Sequence, residues 1–434
     1  MDSSENAALT AAVRAGRQER IDWRFRSIAP ALAGLTLDEA AARRANLFDD
    51  GFFGPFVVLD GAALEHNLTT MAAWCATRRI ALAPHGKTTM APQLFARQLA
   101  HGAWGLTAAN AGHLRVYRAF GVRRIMLANQ LVDPSALRWL AGELAEDPGF
   151  EFACWVDSVR SVDLMTDALA GSPRPVDVLV ELGADGGRTG VRDTATALAI
   201  AEAVANSPVL RLRGTGGYEG SLSHGTDEAA LTKISSYVDD LRELTISLAG
   251  KGLLAEGQVL VTGGGSAYFD RVADELTQPW PDGLDVLPIL RSGAYVTHDD
   301  GFYREISPLG EHPRIAGVEG FRPALHGWAQ VTSKPSDTLA LLTAGKRDLP
   351  FDEGMPEPQL VRHNGIVTEL TGHTVPKMND QHTFLTLPPG SPVDVGDWVR
   401  LGLSHPCTTF DKWPLVPVVD ADGETVTDFV RTWF

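Results

Sequence analysis

The chain has 434 residues, too long for one small core and suited to two domains. Its 44% hydrophobic and 21% charged content is that of a globular protein, and a formal net charge of -16 argues against nonspecific binding to nucleic acid or anionic membranes, which needs a basic face. Three widely spaced cysteines, Cys75, Cys154 and Cys407, suggest no disulfide framework and fit a reducing compartment. The opening stretch MDSSENAALTAAVRAG lacks the charged-then-apolar build of a secretion signal. No apolar run approaches the ~20 residues of a membrane helix. The expectation is a soluble, cytoplasmic protein.

Residues 1–49 carry helical stretches around ENAALTAAVRAG and TLDEAAARRANL, an extension that could pack on either following domain. From Gly54 to Asp299 one unit recurs: a short apolar run ending in Gly, Asn, Asp or His, then an amphipathic helix. The runs are FVVLD, IALAPHGK, WGLTAAN, IMLANQ, FEFACWVD, VDVLVELG, LRGTGGYEG, QVLVTGGG and VLPILRSGAY. Among the helices, Leu231, Ile234, Val238 and Leu241 keep the 3- and 4-residue spacing of one apolar face. Such alternation predicts a parallel sheet, and the number of repeats fits an α/β (β/α)8 TIM barrel better than an open doubly wound sheet. No GxGxxG follows the first run, so the dinucleotide-binding version has little support. After about Tyr303, Pro and Gly become frequent, and GWAQVTS, TLALLTAG, QHTFLTL, DWVRLGL and LVPVVDADG read as strands. The expected organisation is an N-terminal helical extension (1–49), a barrel (50–303) and a C-terminal mainly-β domain (304–434).

Barrel active sites lie at the carboxyl ends of the strands. In PHGKTTMAP, Lys87 stands at such an end, either as a solvent-facing cap or as an amine desolvated for Schiff-base or general-base chemistry. Gly264, Gly265 and Ser266 of LVTGGGSAYFD offer backbone N–H groups and a hydroxyl, a phosphate cradle or a plain turn. Arg188 in ELGADGGRTGV could meet an anionic oxygen or cap a helix. YEGSLSH and RSGAYVTHD each put a tyrosine, Tyr218 and Tyr295, at a strand end, where a core role is the ordinary one. Downstream, LGLSHPCTTFDKW sets His405 and Cys407 two residues apart; both are good Zn2+ ligands, and His382 of NDQH is a third candidate.

In this order, PHGKT, ELGADGGRTGV, YEGSLSH, TGGGS, RSGAYVTHD and SHPC resemble the fold-type III pyridoxal-phosphate enzymes with an alanine-racemase-like barrel. Within them the chain is most similar to the D-serine dehydratase and D-threonine aldolase family with its bacterial amino-acid deaminases, over about Gly54 to Val418. The resemblance implies that Lys87 carries pyridoxal 5'-phosphate as a Schiff base and removes the substrate Cα proton. It implies that Gly264, Gly265 and Ser266 hold the phosphate, with Tyr295 a further candidate, and that Arg188 and Tyr218 line the ring as catalytic groups. His405 and Cys407 match the zinc ligands of the dehydratase branch, and His382 corresponds to a histidine near the metal. An aspartate is expected in the aldolase branch where Cys407 stands, so Cys407 favours elimination. The lysine motif departs from the family in continuing TTMAPQL, and NDQH replaces a more acidic stretch. The implied activity is a D-3-hydroxyamino-acid dehydratase acting on D-serine or D-threonine, working as a homodimer. The rivals are a D-threonine aldolase, an amino-acid racemase and a non-catalytic pyridoxal-phosphate-binding protein.

Overall fold

A computed structural model describes residues 7–434. Eight of the nine apolar runs form one parallel sheet: β2 (Ala81–Leu82), β3 (Leu106–Ala108), β4 (Arg124–Gln130), β5 (Glu151–Val156), β6 (Val176–Leu182), β7 (Leu210–Gly217), β8 (Val259–Gly263) and β9 (Val286–Leu290). The strand order is β2-β9-β8-β7-β6-β5-β4-β3. The two ends of that series also meet. Trp104 donates its N–H to the Leu82 carbonyl at 2.7 Å and Thr107 to that of Pro84 at 2.9 Å, with a parallel bridge between His85 and Thr107. The sheet thus closes into the expected barrel.

Closure explains the composition of the strands. A strand covered by helices outside and by its opposite strands inside reads as a nearly unbroken apolar run. Ala83, Met126, Ala153, Trp155, Leu179, Leu260 and Ile289 form a buried cluster contributed by six of the strand segments, the packed interior of the barrel. The polar residue that ends a run can start the next helix, as Asp60 and Asn110 do, and Ser158, Asp193 and Asp227 cap helices further along the connections; each accepts a backbone N–H in the first helical turn.

The first run departs from the expectation. β1 (Phe56–Asp60) is not a barrel strand; it pairs antiparallel with Leu325–Ser336 and parallel with Leu415–Val419, inside the C-terminal sheet. Residues 56–60 therefore belong with the second domain in space, though the repeat pattern groups them with the barrel. An apolar pentapeptide followed by a helix looks the same in either sheet. That sheet runs Ile366–Glu369, Glu357–His363, Trp398–Gly402, Leu325–Ser336, β1, Leu415–Val419, Val426–Arg431, with three further short strands hanging off Leu325–Ser336. All five β-like runs read from the sequence after Tyr303 contain strands.

The N-terminal extension packs on both domains. Leu9, on the helix Ala7–Gly16, is buried in the outer layer of the barrel with Leu99 and Val122. Ile21, Phe25, Leu37 and Leu47 instead join Phe56, Trp328, Leu415 and Phe429 against the C-terminal sheet. No helix among the described residues is long and apolar enough to cross a membrane.

One close approach tests the barrel register. Gly214 in β7 adopts a φ of 151°, beside a register shift against β6, and a Cβ there would lie 1.9 Å from the Leu260 carbonyl oxygen. Gly214→Ala must push β7 from β8, and it is expected to lower unfolding free energy by about 3 kcal/mol. Chemical denaturation measures this; an unchanged midpoint would show that the two strands are not so closely apposed.

Candidate functional site

The carboxyl ends of the barrel strands surround a cavity of about 390 Å³. Lys87 lines it from the short 3-10 turn Gly86–Thr88 that follows β2, its side chain exposed to that space. The turn is tightly seated, since a Cβ on Gly86 would come within 2.5 Å of the Tyr117 hydroxyl. Around it stand His85 and Thr88 of the same segment, Glu181 from β6, Tyr218 after β7, Ser266 after β8 and Arg291 after β9. His405 and Cys407, which come from the C-terminal domain, also line the cavity.

Seven of the ten residues singled out in the sequence therefore border one space: Lys87, Arg188, Tyr218, Gly265, Ser266, His405 and Cys407. The Arg188 guanidinium lies over the Tyr218 ring at 4.4 Å. Burial, reinforced by the Glu219 carboxylate, pushes the Tyr218 hydroxyl up to about 12. Three residues do not border the cavity. Tyr295 is turned by the 3-10 segment Ala294–Val296 into the core, where its ring meets Phe321 and its hydroxyl accepts a hydrogen bond from Gln98 at 3.3 Å. His382 is exposed at the turn between strands Thr374–Met378 and Thr383–Thr386, away from the cavity wall. Gly264 lies behind the wall.

The phosphate expectation also needs revision at two donors. The Gly264 and Gly265 N–H groups both donate to one carboxylate, that of Glu219, at 2.8 and 3.0 Å. An acid already fills the nest that the glycines make, so those two N–H groups are not free for a phosphate. Ser266 remains at the wall, its hydroxyl accepting from the Ala294 N–H at 3.2 Å.

Sequence reading missed the charges beneath the cavity. Glu219 is 1% exposed and Arg291 2% exposed. Burial pushes the Glu219 carboxyl up, opposed by the two glycine N–H groups and the Arg291 charge. Arg291 donates to Thr262 Oγ1 at 2.6 Å and to the Gly217 carbonyl, with its guanidinium 5.2 Å from the Trp155 ring. Glu181, also raised by burial, accepts from Gln130 at 2.6 Å and Thr189 at 3.0 Å. Burial, with the Lys87 and Arg291 charges, pushes the His85 imidazole well below its ordinary range, which keeps it neutral. Glu219 and Arg291 sit inside YEGSLSH and RSGAYVTHD, so their signal was an acid and a base at the ends of otherwise apolar runs.

The His405–Cys407 loop is braced from several sides. The His405 N–H donates to Asp299 Oδ2 at 3.1 Å, and its Nδ1 lies 2.6 Å from Asp352 Oδ2. The Cys407 sulfur is 3.6 Å from Thr88 Oγ1, next to Lys87. The Cys407 sulfur beside it pushes the His405 imidazole up to about 9 against burial, and Asp352 adds to the rise.

Comparison with known proteins matches both halves of this arrangement. The family model "Alanine racemase, N-terminal domain" matches residues 59–269, and "Putative serine dehydratase domain" matches residues 324–419. A D-threonine aldolase of Arthrobacter sp. is 28% identical over 358 residues, 82% of this chain and 86% of that one. A D-threo-3-hydroxyaspartate dehydratase of Delftia sp. strain HT23 is 24% identical over 400 residues, 87% of this chain and 96% of that one. The solved D-threonine aldolase of Filomicrobium marinum superposes with a TM-score of 0.74 at 26% identity, covering 88% of this chain and 95% of its own. A cysteine-to-alanine variant of a D-threo-3-hydroxyaspartate dehydratase, in a metal-free form, shares the fold at a TM-score of 0.69 and 22% identity, over 88% of this chain and 98% of that one. The lysine-bearing barrel and the domain that closes it are thus matched together, and over both the chain is similar to the D-threonine aldolase and D-threo-3-hydroxyaspartate dehydratase named above.

Proposed function

We propose that the protein is a pyridoxal-phosphate-dependent D-3-hydroxyamino-acid dehydratase, converting D-serine or D-threonine to a 2-oxo acid and ammonia. The observation that supports this most is the meeting of Lys87, from the barrel, with His405 and Cys407, from the second domain, around one cavity. The walls fit a polar aromatic cofactor. An exposed amine projects from a rigid turn, and His85 and Arg291 each carry a buried nitrogen without a hydrogen-bond partner. The metal fit is of the open kind. Among the described residues no group of three or more His, Cys, Asp or Glu could hold an ion, so His405 and Cys407 would supply two donors and leave the other positions to solvent and substrate.

Bound pyridoxal phosphate would supply an electron sink for charge developing at Cα. A divalent ion such as Zn2+ held by His405 and Cys407 would supply a Lewis acid for the β-hydroxyl. Within this frame the Lys87 amine takes the Cα proton. Arg188 and Tyr218 hold one face of the cavity, with the tyrosine hydroxyl kept protonated as a hydrogen-bond donor. Loss of that proton and of hydroxide from Cβ leaves an enamine, whose hydrolysis gives the 2-oxo acid and ammonia. The reading carries with it a D-amino acid as the small-molecule substrate, a homodimer as the working form and a cytoplasmic setting. A second reading, D-threonine aldolase, is favoured by the 28% identity to the Arthrobacter enzyme of that name; Cys407 supports the first.

Lys87→Ala is expected to lose both turnover and the visible absorbance of lysine-bound cofactor; a variant that keeps both would sink the cofactor assignment. Chelation is expected to abolish activity and added Zn2+ to restore it, whereas a stripped protein working at full rate would remove the metal from the mechanism. With D-threonine as substrate the expected products are 2-oxobutyrate and ammonia. Glycine and acetaldehyde would instead establish Cα–Cβ cleavage and the aldolase reading.

A further inference from the structure

Asp352 lies on the loop before strand Glu357–His363 and does not border the cavity. Both of its carboxylate oxygens are nevertheless engaged around the histidine that does. Oδ2 lies 2.6 Å from His405 Nδ1, and Oδ1 accepts from the Thr408 hydroxyl at 2.8 Å. The main chain at His405 is fixed independently. Its φ is 61°, a left-handed value that an L residue adopts at a cost, and its N–H is held by Asp299 at 3.1 Å. The ring therefore has its backbone anchored by one carboxylate and its Nδ1 anchored by another.

We propose that Asp352 is a positioning residue: by accepting the Nδ1 proton of His405 it fixes the tautomer that leaves the Nε2 lone pair as the donor available to a divalent ion beside Cys407. The assignment rests on the metal reading above and deepens it. A carboxylate behind a ligating imidazole sets ring orientation and raises its basicity. Thr408 serves as the second anchor, because a carboxylate held at only one oxygen could rotate and release the ring. Asp352 acts through His405 and is not itself a ligand, since both its oxygens are occupied and it stands outside the cavity wall.

The test is a Co2+ titration of metal-stripped protein that retains its cofactor, following the cobalt–thiolate charge-transfer absorbance. The unaltered protein is expected to bind Co2+, and Asp352→Ala to bind it 10–100-fold more weakly, about the loss typical of such partners. The same thiolate absorbance is expected at saturation, because Cys407 is untouched. Asp352→Asn, whose amide oxygen can still accept the Nδ1 proton, is expected to recover most of the affinity. Equal Co2+ affinity of Asp352→Ala and the unaltered protein would overturn the assignment alone. Failure of the unaltered protein to bind Co2+ would overturn the metal reading and this assignment with it. Should the alanine variant not fold, the nitrogen chemical shifts of His405 in the unaltered protein loaded with Zn2+ decide the matter: a ring protonated at Nδ1 with Nε2 on the metal is expected, and a ring protonated at Nε2 with Nδ1 on the metal would overturn the proposal.

Discussion

The carboxylate of Asp299 is the contact on which the geometry of the site depends. It is 1% exposed and sits just beyond the last barrel strand. Oδ1 accepts the N–H groups of Gly301 at 3.0 Å and Tyr303 at 2.8 Å, turning the chain out of the barrel; Oδ2 accepts the N–H of His405 at 3.1 Å. One buried acid thus ends the barrel and fixes the loop that closes it, two segments more than a hundred positions apart in the chain. Burial raises its carboxyl and the backbone N–H groups oppose that rise. The neighbouring contacts are as close: the Asp300 N–H reaches the Leu403 carbonyl at 2.9 Å, and a Cβ on Gly301 would meet Ser404 at 2.5 Å. A buried polar group that loses its partner costs about 1–3 kcal/mol, so the two domains are held in register by groups that have no other place to go.

A second constraint lies under the cavity floor. Glu219 and Arg291 are buried charges of opposite sign, and each is satisfied mainly by polar groups other than the opposing charge: Glu219 by two glycine N–H groups, Arg291 by a carbonyl and a threonine hydroxyl. Charges held this way do not collapse into a single ion pair, which would leave the glycine loop without its acceptor. The consequence for Lys87 is a mouth whose floor is rigid. The triglycine segment is pinned by Glu219 before any ligand enters, and Tyr218 is trapped between that segment and Arg188; a Cβ on Gly265 would lie 2.9 Å from its ring.

How much of this was legible in the sequence follows from what each signal encodes. Eight parallel strands read clearly because closure buries both faces and leaves unbroken apolar runs. β1 could not be told apart from them, because its partners, Leu325–Ser336 and Leu415–Val419, lie far along the chain and local pattern carries no partner identity. Lys87, His405 and Cys407 were legible as unusual residues at strand ends or in close spacing, but their convergence was not. Tyr295 and His382 fitted the same motifs, yet a single turn of 3-10 helix sends one into the core and a hairpin carries the other to the surface. Glu219, Asp299 and Asp352 went unnoticed because a carboxylate that serves backbone N–H groups or another side chain has no characteristic spacing; only its burial or its partner marks it.

Elimination and cleavage part company at the proton of the β-hydroxyl. Cleavage of Cα–Cβ requires a base to take that proton, whereas loss of hydroxide is helped by a donor. The cavity wall is unequal in these respects. Burial, as the largest cause, holds Tyr218 up to about 12 and Tyr303 well above the ordinary range, so both remain donors at neutral pH. His85 stays neutral, and the Glu181 carboxylate is engaged with Gln130 and Thr189. Glu353, exposed at the rim, is the one lining carboxylate outside the buried set, and its own main-chain carbonyl is tied to Ser404 at 2.8 Å. Near neutral pH the interior of the site is therefore richer in groups that donate hydrogen bonds than in groups free to accept a proton. On the reading proposed above, that asymmetry would serve departure of the hydroxyl rather than its deprotonation, and it is a property of burial around two tyrosines as much as of the cysteine at position 407.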